Sequence, residues 1–236
     1  DPARAVALAK ETMNHSAPAE RIAQDATPLP HGFVVYAMFS FYPITAFAIV
    51  TISTLMMALG RRSVRSRLTA APVSSRSRSL GAIGACLVIG LVGWLWIFGL
   101  GVTALGASAV TTSAPLLAIV GAALGAFMLF TVSLGFLLGQ ISPSQNVASA
   151  VANIGGLAMS FLSGAWVPTE WLPDAVVQAA KFTPGYWAAQ AISGAYTATS
   201  MSADVIRPLL VDCGICALFA VAVFSVAVAV GRARAR

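Results

Sequence analysis

Two cysteines three apart, Cys213 and Cys216, form a Cys-Gly-Ile-Cys run, a spacing that invites a redox or metal reading. Either chemistry needs partners. The chain has one further cysteine, Cys86, and two histidines, His15 and His31, which both precede the first long apolar run. The three thiols therefore read as small packing residues inside apolar segments, and no catalytic, metal or cofactor site is assigned to the chain. Nucleotide chemistry lacks its parts as well. The only lysines are Lys10 and Lys181, neither in a G-x-x-x-x-G-K-[ST] loop, so ATP phosphates cannot be cradled by that route. One acid, Asp212, falls inside a long apolar run. A charge costs about 2.5–3.5 kcal/mol at mid-bilayer and less near the interface. Asp212 is thus a candidate for proton-linked transport, against the plainer reading that Arg207 or water at the membrane surface accommodates it.

The densest chemistry is cationic. Residues 61–78 read RRSVRSRLTAAPVSSRSR, with six arginines and no acid. Arg61, Arg62, Arg65 and Leu68 follow helical spacing, which predicts a short helix along a membrane face, ended by Pro72. The candidate docking residues for a cytoplasmic partner are Arg61, Arg62, Arg65, Arg67, Leu68 and Pro72. The plainer alternative is that the arginines only set topology.

These groups must be positioned by a membrane bundle. The chain is 58% hydrophobic and 9% charged, against about 25% charged in soluble domains, and no charged residue or histidine lies between Arg78 and Glu170. The net charge of +6 is concentrated in membrane-flanking segments. It suits an anionic leaflet, where each basic residue gains about 1 kcal/mol, and it does not suggest nucleic acid as a partner. The expected fold is all-α, a polytopic transmembrane helix bundle. Its spans are expected at about 33–59, 80–105, 116–138, 147–166 and 207–230, with a cytoplasmic arginine loop over 60–79. Short basic loops stay inside. Residues 1–32 then end an extracytoplasmic segment, the C-terminus with its GRARAR run is cytoplasmic, and the chain is a multi-pass protein of the cell membrane. Residues 3–13 are expected to form a helix and 16–32 a proline-broken linker, the whole being the C-terminal part of a longer protein.

Within the spans, Pro43 is expected to kink the first, with Thr45 or a neighbouring helix satisfying the freed carbonyl. Tyr36 and Tyr42 suit the membrane interface. Trp94 and Trp96 fall mid-span, as packing residues or as the lining of an apolar path. Gly121 with Gly125 and Gly135 with Gly139 fit the small-xxx-small packing pattern.

Residues 167–206 are too polar and too proline-broken for a simple span. Glu170, Asp174, Gln178 and Lys181 recur at helical spacing, with Trp171, Leu172, Ala175, Val176, Ala179 and Phe182 on the other face. This predicts an interfacial amphipathic helix, broken at Pro184 and Gly185, and a second short helix over Tyr186–Tyr196. The pair is expected as a helical hairpin dipping into the outer leaflet. Its marker residues are Pro168, Glu170, Trp171, Pro173, Pro184, Tyr186 and Trp187.

The stretch FLSGAWVPTEWLPDAVVQAAKFTPGYWAAQAI resembles the signature end of type-2 ABC transporter permeases, on Ser163, Gly164, Pro168, Leu172, Pro173, Pro184 and Trp187. RSRLTAAPVSSRSRSLG is similar to that family's first inner loop, on Leu68, Pro72, Val73 and Ser74, and NVASAVANIGGLAMSFLSG to its fourth span. The resemblance covers residues 33–236. It departs at Gly60, Arg61 and Arg62, where many relatives carry acids. It implies a permease subunit of an ATP-driven exporter, not itself an enzyme. Such a subunit pairs with a second permease, as a homo- or heterodimer, and with cytoplasmic ATP-binding subunits. The cargo is expected to be apolar or amphipathic (drug, lipid or peptide), as in multidrug efflux. The competing expectation is a secondary carrier driven by an ion gradient, which needs an intramembrane ionisable group such as Asp212.

Overall fold

A computed structural model describes residues 28–72, 74–141 and 144–235 of the chain. The expected N-terminal helix, most of the linker after it, Val73 and Arg236 lie outside the described residues. The architecture is helical throughout: α1 His31–Phe39, α2 Phe41–Gly60, α3 Arg62–Ala70, α4 Ser75–Leu105, α5 Ala107–Thr112, α6 Ala114–Ile141, α7 Gln145–Leu162, a 3₁₀ turn Thr169–Trp171, α8 Asp174–Ala180, α9 Pro184–Thr197 and α10 Ala203–Ala235. Among the described residues, four stretches are long and apolar enough to cross a membrane: His31–Gly60, Ser75–Leu105, Ala114–Ile141 and Ala203–Ala233. Helix α7, expected as a further span, is continuous over 18 residues. It is not among the four, because Gln145, Asn146 and Asn153 lower its hydropathy.

Helix α6 is the hub. It packs on α10, α2, α9 and α4, and most of its side chains are buried. Lipid is as apolar as leucine, so close van der Waals packing has to hold such helices together. Two glycine pairs at different heights on α6 provide it. Gly121 and Gly125 receive the rings of Phe98 and Trp94 of α4, and Gly135 and Gly139 receive α2 at Ile49, Ile52 and Met56. Phe41 and Phe127, both fully buried, close the α2–α6 contact with ring centroids 4.6 Å apart. The small-residue motifs of α6 thus serve packing within the subunit.

The first span breaks at Ser40, three residues before Pro43. Proline has no N–H for the carbonyl four residues back, which here belongs to Phe39. Thr45 does not compensate it. Its hydroxyl donates to Phe41 O at 2.8 Å, while Ser40 Oγ donates to Tyr36 O at 2.7 Å. Tyr36 donates to Ile97 O at 2.9 Å, bracing α1 against α4. Trp94 is a packing residue, stacked on Phe98 and donating Nε1–H to Gly121 O at 2.9 Å, whereas Trp96 is 72% exposed on the outside of the bundle.

The prolines of the 167–206 region each open an element. Pro168 precedes the 3₁₀ turn, Pro173 precedes α8, and Pro184 is the first residue of α9. That first position needs no N–H and suits proline's fixed φ. The break therefore falls at 181–183, before Pro184 and not across it. Helix α9 is part of the core. Ala188, Ala189, Ala191, Ile192 and Ala195 are buried, and α9 packs on α10, α6 and α1. Its small side chains allow that approach. Only α8 and the turn before it lie on the periphery, with Trp171 78% and Phe182 82% exposed.

Candidate functional site

One end of the bundle is cationic. Helix α3 forms over Arg62–Ala70 and stops before Pro72, as its spacing predicts. Ser74 then caps α4, its Oγ accepting from Ser77 N at 3.2 Å, so α4 starts at Ser75 and carries Arg76 and Arg78 in its first turns. All six expected docking residues are exposed, and two of them also line a cavity. Arg61, Arg62, Arg67 and Pro72 are exposed on the outer surface. Arg65 and Leu68, one turn apart, line a cavity of about 650 Å³ together with Arg78, Ser75 and Ser79. Arg78 Nη1 donates to Leu68 O at 3.1 Å, tying α4 to α3 across the loop. Met56, Leu59 and Phe136 supply apolar wall, and Gly231 of α10 closes the cavity beside Gln140.

A second feature runs along α7. Its exposed polar residues Gln145 and Asn153 and the half-buried Ser149 recur every four residues on one face. Tyr42 donates to Asn153 Oδ1 at 2.7 Å and Thr54 to Gln145 Oε1 at 2.9 Å, so α2 and α7 share a polar seam. An exposed polar row is costly against hydrocarbon and belongs against water or protein. The sequence reading missed this seam. The four-residue recurrence of polar side chains in an otherwise apolar segment was the signal available for it.

At the other end, α7 closes with Ser163 and Gly164. Gly164 has φ of 81°, a left-handed conformation that favours glycine at a helix C-terminus, and Ser163 Oγ accepts from Ala165 N at 3.2 Å. The chain then turns through an aromatic cluster also missed in sequence. Trp166 lies 5.3 Å from Phe39, 5.3 Å from Phe161 and 6.0 Å from Tyr42 by ring centroids. Pro168, Glu170 and Thr169 border a smaller cavity of about 210 Å³ with Gln190 and Ser193 of α9. Trp187 donates Nε1–H to Lys181 O at 2.8 Å and packs edge-on against Tyr186, 5.4 Å away, which fixes the α8–α9 turn. The marker residues Pro168, Glu170, Trp171, Pro173, Pro184, Tyr186 and Trp187 thus gather at one end, though only some share a cavity.

Asp212 is half-buried on α10, beside the buried Cys213, whose Sγ lies 3.9 Å from Ile119 O. Arg207 does not share its face. Five residues along a helix rotate a side chain by about 140°, and Arg207 is exposed. Cys86, Cys213 and Cys216 are buried and unpaired with one another. Among the described residues, no group of three or more His, Cys, Asp or Glu stands together as a metal site.

No curated protein and no solved structure matches the chain. A protein-family model does, over residues 9–229, a range that holds the cationic end, the polar seam and the capped turn alike. On that match the chain belongs to the family described as ABC-2 family transporter protein, and it is the membrane subunit of an ABC transporter.

Proposed function

We propose that this subunit is the permease of an exporter that moves an apolar or amphipathic substrate (drug, lipid or peptide) and is driven by a separate ATPase. The observation that carries the reading is the exposed cationic surface of Arg61, Arg62 and Arg67, set at one end of an apolar bundle with no acid in residues 61–78. A surface of one sign recruits a partner of the other sign, and this chain lacks a P-loop of its own. The cationic end faces the cytoplasm by the positive-inside rule, which puts the N-terminal end outside and the C-terminus inside. Helix α7 then serves as a further span whose polar seam with α2 faces water or a second permease subunit. The peripheral α8 lies at the outer surface with Trp171 and Phe182 toward lipid, and the α7–α9 turn gates release.

The test is co-purification from the native membrane in mild detergent. An ATPase in stoichiometric amount is expected with the wild type and is expected to be lost from the R61A/R62A/R67A variant. Association unchanged in that variant removes the docking role. Absence of any ATPase, under conditions that keep a known permease complex intact, overturns the exporter reading. The half-buried Asp212 supports one other reading, a carrier driven by an ion gradient, in which transport would persist without the ATPase.

A further inference from the structure

We propose that the cavity between the end of α7, the 3₁₀ turn and α9 binds a primary ammonium group, with Glu170, Gln190 and Ser193 as its acceptors. The cavity measures about 210 Å³. Ser163 and Ala189, both buried, form its floor, and the exposed Glu170 and Ser193 stand at its mouth.

Local chain geometry builds the place. Helix α7 ends at Leu162, and Gly164 turns the chain at a φ of 81°. A Cβ on Gly164 would meet Thr169 Cγ2 at 2.6 Å. The glycine therefore lets the 3₁₀ turn close against the end of α7, with Glu170 in the middle of that turn. Gly185, the second residue of α9, sets that helix against the same end: a Cβ there would lie 3.3 Å from Ser163 Cβ and 3.5 Å from Met159 O. Gln190 and Ser193 are three apart on α9 and share a face.

The lining selects the ligand. One carboxylate, one amide and the hydroxyl residues Thr169 and Ser193 are set against Met38 and Ala189. Among the described residues, no cationic side chain lines the cavity. Ser163 is already engaged, donating to Ser160 O at 3.2 Å and accepting from Ala165 N at 3.2 Å. The carbonyl end of α7 adds partial negative charge at the floor, so the site favours a cation. A calcium ion takes about 6–8 oxygens in a close shell, which this half-apolar lining does not build. A primary ammonium on an alkyl stem brings three N–H donors. The Glu170 carboxylate, the Gln190 amide oxygen and the Ser193 hydroxyl answer one each, and Met38 and Ala189 take the stem. The group arrives either on a soluble amine or on an ethanolamine lipid, which carry the same –NH₃⁺. Binding it needs neither ATP nor the ATPase, so the site stands apart from the exporter reading.

The test uses the full chain with its natural partner subunits in phosphatidylcholine nanodiscs, without ATP, and reads the thermal unfolding temperature against ligand concentration. Butylamine is expected to stabilise the wild type saturably. Butyltrimethylammonium, with equal charge and no donor, should bind at least about tenfold more weakly. Glu170→Gln keeps the shape and removes the charge, and should weaken butylamine by at least about tenfold. Asp174→Asn removes equal charge four residues on, outside the cavity, and should leave the affinity unchanged. Equal loss in these two variants, unchanged affinity in Glu170→Gln, or no saturable effect of butylamine overturns the site. Stabilisation by calcium chloride that Glu170→Gln abolishes, with none from butylamine, replaces the ammonium by a metal ion and overturns it too. A second set of nanodiscs contains phosphatidylethanolamine. Loss of the butylamine effect there, with the wild type already more stable than Glu170→Gln, assigns the lipid headgroup as the source. An unchanged butylamine effect assigns a soluble amine, and either result keeps the site. Partner ATPase is scored in the same samples, so that its loss counts against docking and not against ammonium binding.

Discussion

Tyr42 of α2 donates its hydroxyl to Asn153 Oδ1 of α7 across 2.7 Å, joining residues 111 apart in the chain. With Thr54 and Gln145 three turns away on α2, the contact makes a polar seam on two helices that otherwise meet through small and apolar side chains. Tyr42→Phe removes the hydroxyl alone. Such a bond contributes about 0.5–1.5 kcal/mol in general, and interhelical pairs in membranes average about 0.6 kcal/mol. A double-mutant cycle of Tyr42→Phe with Asn153→Ala, read by unfolding in detergent, is expected to give a coupling of that size. Asn153→Leu should insert well and transport poorly if the seam faces a water-filled path. Full transport in Asn153→Leu would show that the row only packs.

The α2–α6 contact sets a sharper threshold. A Cβ on Gly135 would lie 3.0 Å from Ala48 O and 3.1 Å from Ile49 Cα, which are backbone atoms that cannot swing away. Gly135→Ala is expected to destabilise the subunit by about 1–3 kcal/mol, in the range of core overpacking. Gly84 of α4 has nothing within 4 Å of the same position. Gly84→Ala should be neutral or stabilising by up to about 1 kcal/mol through helix propensity. Thermal unfolding of the two variants side by side checks the pair, and equal effects would overturn the close-packing account.

What the sequence showed of this molecule was what depends on local pattern. The helix over Arg62–Ala70 was legible because arginines at helical spacing run up to Pro72. The end of α7 was legible only roughly: the span was expected to run to 166, whereas the helix stops at Leu162 and Gly164 takes the left-handed conformation that follows it. The place of α9 was not. Its buried face is built of Pro184, Gly185, alanines and one isoleucine, so hydropathy cannot separate a core helix from one lying at a surface. Register decides, and register comes from α6, α10 and α1. The same holds for Tyr42: its position suggested an interface aromatic, while its partner Asn153 could be found only once α2 and α7 lay side by side. Pro43 signalled a break, yet the break sits at Ser40, because the cost of proline falls on the preceding turn.

Trp187 is the clasp of the α8–α9 turn through its 2.8 Å bond to Lys181 O. Trp187→Phe keeps most of the packing and deletes the donor. The expected cost is about 0.5–1.5 kcal/mol, confined to the peripheral α8 because α9 keeps its buried alanine face. Hydrogen exchange should therefore speed up over Asp174–Ala180 while Ala188–Ala195 stays protected. Uniform acceleration of both helices would mean that the bond supports the core and not the turn alone.

Asp212 separates the two transport readings. The carboxyl is half-buried at the start of the apolar stretch of α10, and Arg207 lies on another face. Asp212→Asn keeps the shape and removes the titratable group. If ATP drives transport, the variant needs no proton there, and its transport rate should stay within about twofold of wild type, a change of less than 0.5 kcal/mol in the barrier. If an ion gradient drives transport, loss of the carboxylate should abolish coupling, because the variant can no longer take up and release the ion. The measurement is substrate efflux from vesicles with ATP inside the accessible compartment, repeated with the proton gradient collapsed. Efflux by Asp212→Asn that needs ATP and ignores the gradient supports the exporter. Efflux that fails in the variant and collapses with the gradient in the wild type replaces that reading with the carrier.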